Sequence, residues 1–170
     1  MPPQTVDPGT FSRDVLELLH ILDRNRVRFM IVGGEAVIFY GHVRLTGDID
    51  VYFERTAENA DRLFAALREF WKSEIPGLEG SSKLEDRGVV FQFGAPPNRI
   101  DLLNDIDGID FATAWPRRTE VWIEHQSESI SYAYIGLDDL IENKRASGRA
   151  KDVDDLPYLI AAGKARSSDE

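Results

Sequence analysis

The chain of 170 residues contains no cysteine and only two methionines. The absence of cysteine excludes disulfides, Cys-ligated zinc, iron–sulfur clusters and thiol catalysis together. Long hydrophobic runs are missing as well. Residues 29–32 and 36–40 are among the longest, far short of the ~18–20 apolar residues that cross a bilayer. The opening MPPQTVDPG carries neither the positive stretch nor the apolar stretch of a secretory signal, so a soluble, cytoplasmic protein with no membrane partner is expected. Positive charge is scarce too. Lys and Arg total 20 against 30 Asp and Glu, a formal charge of −10, which argues against a general nucleic-acid coat or membrane-surface binder. Any polyanionic partner must meet a local basic patch or bound cations.

What is present suffices for one folded domain. The length matches a single unit, and 42% apolar residues with 10% aromatics can build a core. Residues 1–9 hold three prolines and a glycine and are expected to lie loose until Thr10 or Ser12 caps a helix. Val15, Leu18, Leu19 and Leu22 recur at helical spacing, carrying that helix to about Asn25. Residues 28–32 read as a short strand ending at Gly33-Gly34, and residues 35–40 begin a second helix that includes His42. Residues 47–54 alternate as a strand, with Ile49, Val51 and Phe53 on one face and Asp48, Asp50 and Tyr52 on the other.

Thr56 can cap a long helix through Trp71. Residues 75–87, rich in Gly, Pro and Ser, read as a mobile loop. Residues 88–93 and 99–103 form a predicted hairpin about Ala95-Pro96-Pro97-Asn98, followed by strands over 119–125 and 129–135. Helices over 137–146 and 152–162 break near Gly148, and 163–170 is expected to be a flexible tail. The expectation is a single α/β (α+β) domain over residues 10–162, with a mixed sheet flanked by helices.

The chemistry concentrates in residues 31–53, IVGGEAVIFYGHVRLTGDIDVYF. Two residues apart on a strand, Asp48 and Asp50 present two carboxylates side by side. Such a pair repels unless a cation separates it, and hard divalent ions take carboxylates together with substrate phosphates. Asp101, between apolar Ile100 and Leu102, can add a third carboxylate if its strand lies beside the first, which would suit a two-metal site. Asp105, Asp107 and Asp110 lie nearby in a loop-like stretch. A solvated strand face is the alternative for an isolated Asp-x-Asp. Gly33-Gly34, between a strand and a helix, lets phosphate approach free backbone N–H groups, or is an ordinary tight turn.

Taken together, Gly33-Gly34, thirteen intervening residues and Asp48-Ile49-Asp50 resemble the signature of the polymerase-β-like nucleotidyltransferase superfamily. Arg44-Leu45-Thr46-Gly47-Asp48-Ile49-Asp50 looks particularly like the bacterial stand-alone members, which include toxins of abortive-infection toxin–antitoxin systems. Leu137-Asp138-Asp139-Leu140-Ile141, followed by Lys144, Arg149, Asp152 and Asp155, is similar to their C-terminal segment. The resemblance implies a nucleotidyltransferase fold and transfer of a nucleoside monophosphate from an NTP to a hydroxyl on RNA, protein or a small molecule. It further implies Mg²⁺ or Mn²⁺ on Asp48, Asp50 and Asp101, with tRNA or a protein as acceptor and a cognate antitoxin as partner. Many members have Ser where Gly34 stands, so a hydroxyl that would touch phosphate is absent here.

Lys144, Arg145, Arg149 and Lys151 are the densest basic cluster. Lys144 and Arg149 either contact donor phosphates, with Asp152 orienting one of them, or form a solvated helix end whose cations complement the dipole. Arg44 and Thr46 approach the carboxylate strand and touch substrate, or Arg44 pairs with a nearby acid. The three histidines have no metal-ligand spacing, and neither a GxSxG nor a GxxxxGK[ST] motif occurs. The competing functional class is a non-catalytic nucleotide-binding or antitoxin-like interaction protein on the same fold. A phosphodiesterase using the same carboxylates is a third.

Overall fold

The computed structural model describes residues 4–169; residues 1–3 and 170 of the expected terminal segments lie outside them. Ser12 opens helix α1 (Arg13–Arg24) by accepting the Val15 N–H at 3.4 Å. Its apolar stripe, including Leu18, Leu19 and Leu22, is buried. Strand β2 (Phe29–Val32) is buried throughout and passes directly into the short helix α2 (Gly33–Phe39), which starts on the glycines themselves. Strand β3 (Asp48–Phe53) follows, and Thr56 caps helix α3 (Ala57–Trp71). Asn59, almost wholly buried, accepts the Arg28 N–H and donates to the Arg28 and Glu54 carbonyls, fastening α3 to the ends of both strands.

Strands β4 (Val90–Phe93) and β5 (Arg99–Leu103) form the expected hairpin. A four-residue helix α4 (Phe111–Ala114) precedes strands β6 (Thr119–His125) and β7 (Glu128–Tyr134). Helices α5 (Leu137–Ser147) and α6 (Ala150–Ser168) close the chain, separated at Gly148, whose φ of +62° is the left-handed value a helix end favours. With the two-residue strand β1 (Gln4–Thr5), the sheet order is β1-β6-β7-β2-β3-β5-β4. It mixes parallel pairs (β1/β6, β2/β7, β3/β5) with antiparallel ones (β2/β3, β4/β5, β6/β7). Helix α1 packs against β7 and α3, while α5 and α6 pack together with α2 against α5. This is one α/β domain with a mixed sheet flanked by helices. Among the described residues no helix is long and apolar enough to cross a membrane.

Four segments differ from the sequence expectation. Residues 4–10 are structured: Gln4 and Thr5 pair with Val121 and Trp122, and Asp7 caps a 3₁₀ turn over Pro8–Thr10. Residues 75–87 are anchored, because Ile75, Leu78 and Leu84 are apolar and buried and Asn104 donates to the Leu84 and Asp86 carbonyls. Helix α6 runs to Ser168, past both Pro157 and Gly163, so most of the expected tail is helical. His42 lies outside α2; the helix ends at Phe39, and Gly41 (φ +104°) turns the chain so that His42 stacks on Tyr158.

Candidate active-site cleft

Register decides which carboxylates meet. Strands β3 and β5 run parallel, with Asp48 opposite Arg99 and Asp50 opposite Asp101. Partners across adjacent strands lie about 5 Å apart and project to the same face, so Asp48, Asp50, Arg99 and Asp101 share one surface. Gly33 sits against it: with φ of +65°, it places its backbone where a Cβ would collide with Asp50 Oδ2. The glycine turn therefore packs against Asp50, and the turn and the carboxylates line one cleft of about 550 Å³.

Of the residues singled out from sequence, Gly33, Gly34, Arg44, Asp48, Asp50, Asp101, Lys144 and Arg149 line this cleft. Thr46 stands behind Gly34, its hydroxyl donating to the Asp48 carbonyl at 3.1 Å. A Cβ on Gly34 would lie 2.9 Å from Thr46 Oγ1 and 3.0 Å from Arg44 Nη2, so the hydroxyl and guanidinium fill the space that a side chain at this position would need. Helix α2 has only seven residues, and its dipole is correspondingly small. Positive charge at this end comes from Arg44.

Asp50 makes no hydrogen bond or ion pair among the described residues, and its pKa is pushed up to about 6, first by burial and then by the charges of Asp101 and Asp48. Asp101 is buried, and Gln92 and Arg99 donate to its Oδ2 at 3.4 and 3.1 Å. Its Oδ1 lies 3.0 Å from Arg99 Nε but is misaligned for a hydrogen bond, which leaves both buried atoms without one. Asp48 meets Arg99 Nη2 at 2.6 Å. An unpartnered carboxylate, a buried oxygen lacking a hydrogen bond and oxygen-only donors fit a hard divalent cation. The side chains do not form a finished cage, however: among the described residues no three acidic or histidine groups converge on one ion position.

The opposite wall is a buried charge network. Lys144, 3% exposed, meets Asp152 at 2.7 Å and Asp155 at 3.1 Å. Asp155 also meets Arg44 Nε at 3.1 Å and His42 at 3.7 Å. Burial alone would raise the Asp152 pKa, but hydrogen bonds from Lys144, Ser147 and Arg149 hold it well below the usual carboxylate range. Arg149 hydrogen bonds only through Nε among the described residues and is 65% exposed, so its Nη groups can reach a ligand. Lys144 is committed to its two carboxylates and reaches the cleft as a wall. Arg44 likewise has the acidic partner that was its alternative.

Arg99 was missed from sequence, and Asp155, named there only within the C-terminal segment, was given no role at the site. The signal for Arg99 was the i, i+2 spacing to Asp101 on one strand; that for Asp155 was the i, i+3 spacing from Asp152 on one helix.

An α/β domain with a glycine turn against strand-borne carboxylates, walled by the buried Lys144 and by Arg44 and Arg149, carries the oxygen donors and cations that phosphate chemistry uses. Its family is explicit: residues 12–159 match the family described as nucleotidyltransferase of unknown function (DUF6036), and the chain belongs to it. No curated protein matches the sequence. A solved structure, an antigenic nucleotidyltransferase-like protein from Paracoccidioides brasiliensis, is 17% identical over 89% of this chain and 78% of its own, with a TM-score of 0.44.

Proposed function

We propose that the protein is a divalent-metal-dependent nucleotidyltransferase of the polymerase-β-like superfamily that moves a nucleoside monophosphate from an NTP to a hydroxyl acceptor. The observation that carries this reading is the register pairing of Asp50 with Asp101 on the surface facing the Gly33 turn. Asp48, Asp50 and Asp101 would hold Mg²⁺ or Mn²⁺, which supplies charge neutralisation for the triphosphate. Gly33 and Gly34 give the donor's phosphates close approach to the backbone, and Arg149 supplies a guanidinium contact, with Arg44 adding positive charge from its place beside Asp155. The acceptor oxygen forms a bond to the α-phosphorus as the bond to the bridging α–β oxygen breaks. Pyrophosphate departs, and the hydroxyl proton passes to Asp101 Oδ1, whose hydrogen-bonding capacity is unspent. Lys144 acts as a positioning residue through Asp152 and Asp155. Positioning and electrostatics carry most of the barrier reduction in such transfers.

The family resemblance extends the proposal to the abortive-infection type of stand-alone enzyme: a toxin modifying tRNA or protein, restrained by a cognate antitoxin. With a formal charge of −10, a large RNA acceptor would have to dock on the strip from Lys144 to Lys151. A second reading, a nucleotide-binding or antitoxin-like protein without catalysis, is favoured by Arg99, which already neutralises Asp48 and Asp101.

One experiment separates the two. The protein is incubated with Mg²⁺, α-labelled NTPs, tRNA and cell protein, beside a D48N/D50N variant. Label transfer that vanishes in the variant supports the enzyme; NTP binding without transfer supports the binder. Absence of NTP binding at millimolar concentration refutes both.

A further inference from the structure

We infer that Arg99 is a resident cation of the carboxylate surface, holding the Asp48–Asp101 side so that the surface takes one divalent ion, beside Asp50, rather than two. The inference rests on the metal-binding reading above, and deepens it by fixing the number of ions and the residue that sets it.

Backbone placement is the first support. Arg99 is the register partner of Asp48 and stands two residues before Asp101 on the same strand. Its side chain therefore projects onto the surface carrying all three carboxylates. The contacts are the second. Arg99 Nη2 lies 2.6 Å from Asp48 and 3.1 Å from Asp101 Oδ2, and Nε lies 3.0 Å from Asp101 Oδ1. One guanidinium thus spans both acids, leaving Asp50 alone without a positively charged partner. Charge is the third. On the strand surface itself, three carboxylates and one guanidinium sum to −2, which a single divalent ion cancels. Guanidinium does not give up its proton in proteins, so this neutralisation is permanent. Three carboxylates alone suit a two-metal site; with Arg99 among them, the same surface suits one ion plus a fixed cation.

The test is a Mn²⁺ titration of the full chain without nucleotide, following the free-ion signal by electron paramagnetic resonance, on wild type, R99Q, R99K and D50N. Circular dichroism melts verify that each variant is folded. Wild type is expected to take one Mn²⁺ and D50N to lose it. R99Q is expected to take a second ion or to bind at least tenfold more tightly, while R99K, which keeps the charge, stays at one. Two ions on wild type would overturn the inference whether or not R99Q folds, and so would a folded R99Q with unchanged stoichiometry and affinity. No Mn²⁺ on wild type, or the same Mn²⁺ on D50N, would instead remove the metal-binding reading itself.

Discussion

Replacing Asp50 by Asn is expected to stabilise the metal-free protein above neutral pH while abolishing its proposed chemistry. Asp50 is held without a hydrogen bond between Asp48 and Asp101, and its pKa stands at about 6 against an ordinary 3.8. Below about pH 4 the carboxyl is protonated in both folded and unfolded chains and costs little. Between about pH 4 and 6 the folded state binds the proton more tightly, so stability falls as pH rises. Above about pH 6 both states are ionised and the loss is complete, about 3 kcal/mol for a shift of roughly two units. Asn keeps the shape without the charge. D50N should therefore melt higher than wild type by about 6–12 °C at about pH 8, at 2–4 °C per kcal/mol for a chain of this size. At about pH 4 the difference should shrink to well under 1 kcal/mol. Thermal melts in chelator, followed by circular dichroism at both pH values, measure it. Adding Mg²⁺ should raise the melting temperature of wild type alone, because D50N lacks the one carboxylate of the three that Arg99 does not contact. A D50N protein no more stable than wild type at the higher pH, or equally stabilised at both, would refute the assignment of Asp50 as a strained, unpartnered carboxylate.

Loss of Lys144 should first read as instability. Lys144→Ala takes from Asp152 and Asp155, both essentially buried, their shared cation while leaving each a guanidinium, Arg149 or Arg44, and should cost about 1–3 kcal/mol. K144M/D155N should recover much of that in urea unfolding, but none of any transferase activity. Gly34→Ala should cost about 1–3 kcal/mol by overpacking against Thr46 and Arg44. G34A/T46A should regain part of it and of NTP affinity, measured by calorimetry.

Local signals were strong wherever one residue type can do one job. Ser12 and Thr56 cap α1 and α3 because a side-chain oxygen must take an otherwise orphaned N–H, and the alternation in β3 shows which residues face the cleft. Asp101 was legible as a strand carboxylate, but its pairing with Asp50 is not encoded locally: β5 reaches β3 only after α3 and β4 have intervened, and the parallel register is set by packing. The bridge that Arg99 makes was hidden for the same reason, since Asp48, one of its two partners, lies 51 residues away. The seam from β1 to β6 escaped notice because two residues carry no periodicity. His42 was misplaced because Gly41 redirects the chain after only seven helical residues, within an unbroken apolar pattern.

The sheet order also bears on synthesis. All three carboxylates have been translated by residue 101, but β7, the second neighbour of β2, begins at Glu128, and the charge network that walls the cleft spans Lys144 to Asp155. Chains emerge N-terminus first, at about 5–20 residues per second. During that interval the nascent chain carries the acidic surface with β2 as an open edge and lacks Lys144 and Arg149 of the opposite wall. The far wall of the cleft is complete only once α5 and α6 are made, so a chain terminated before residue 144 has the carboxylates without Lys144 and Arg149.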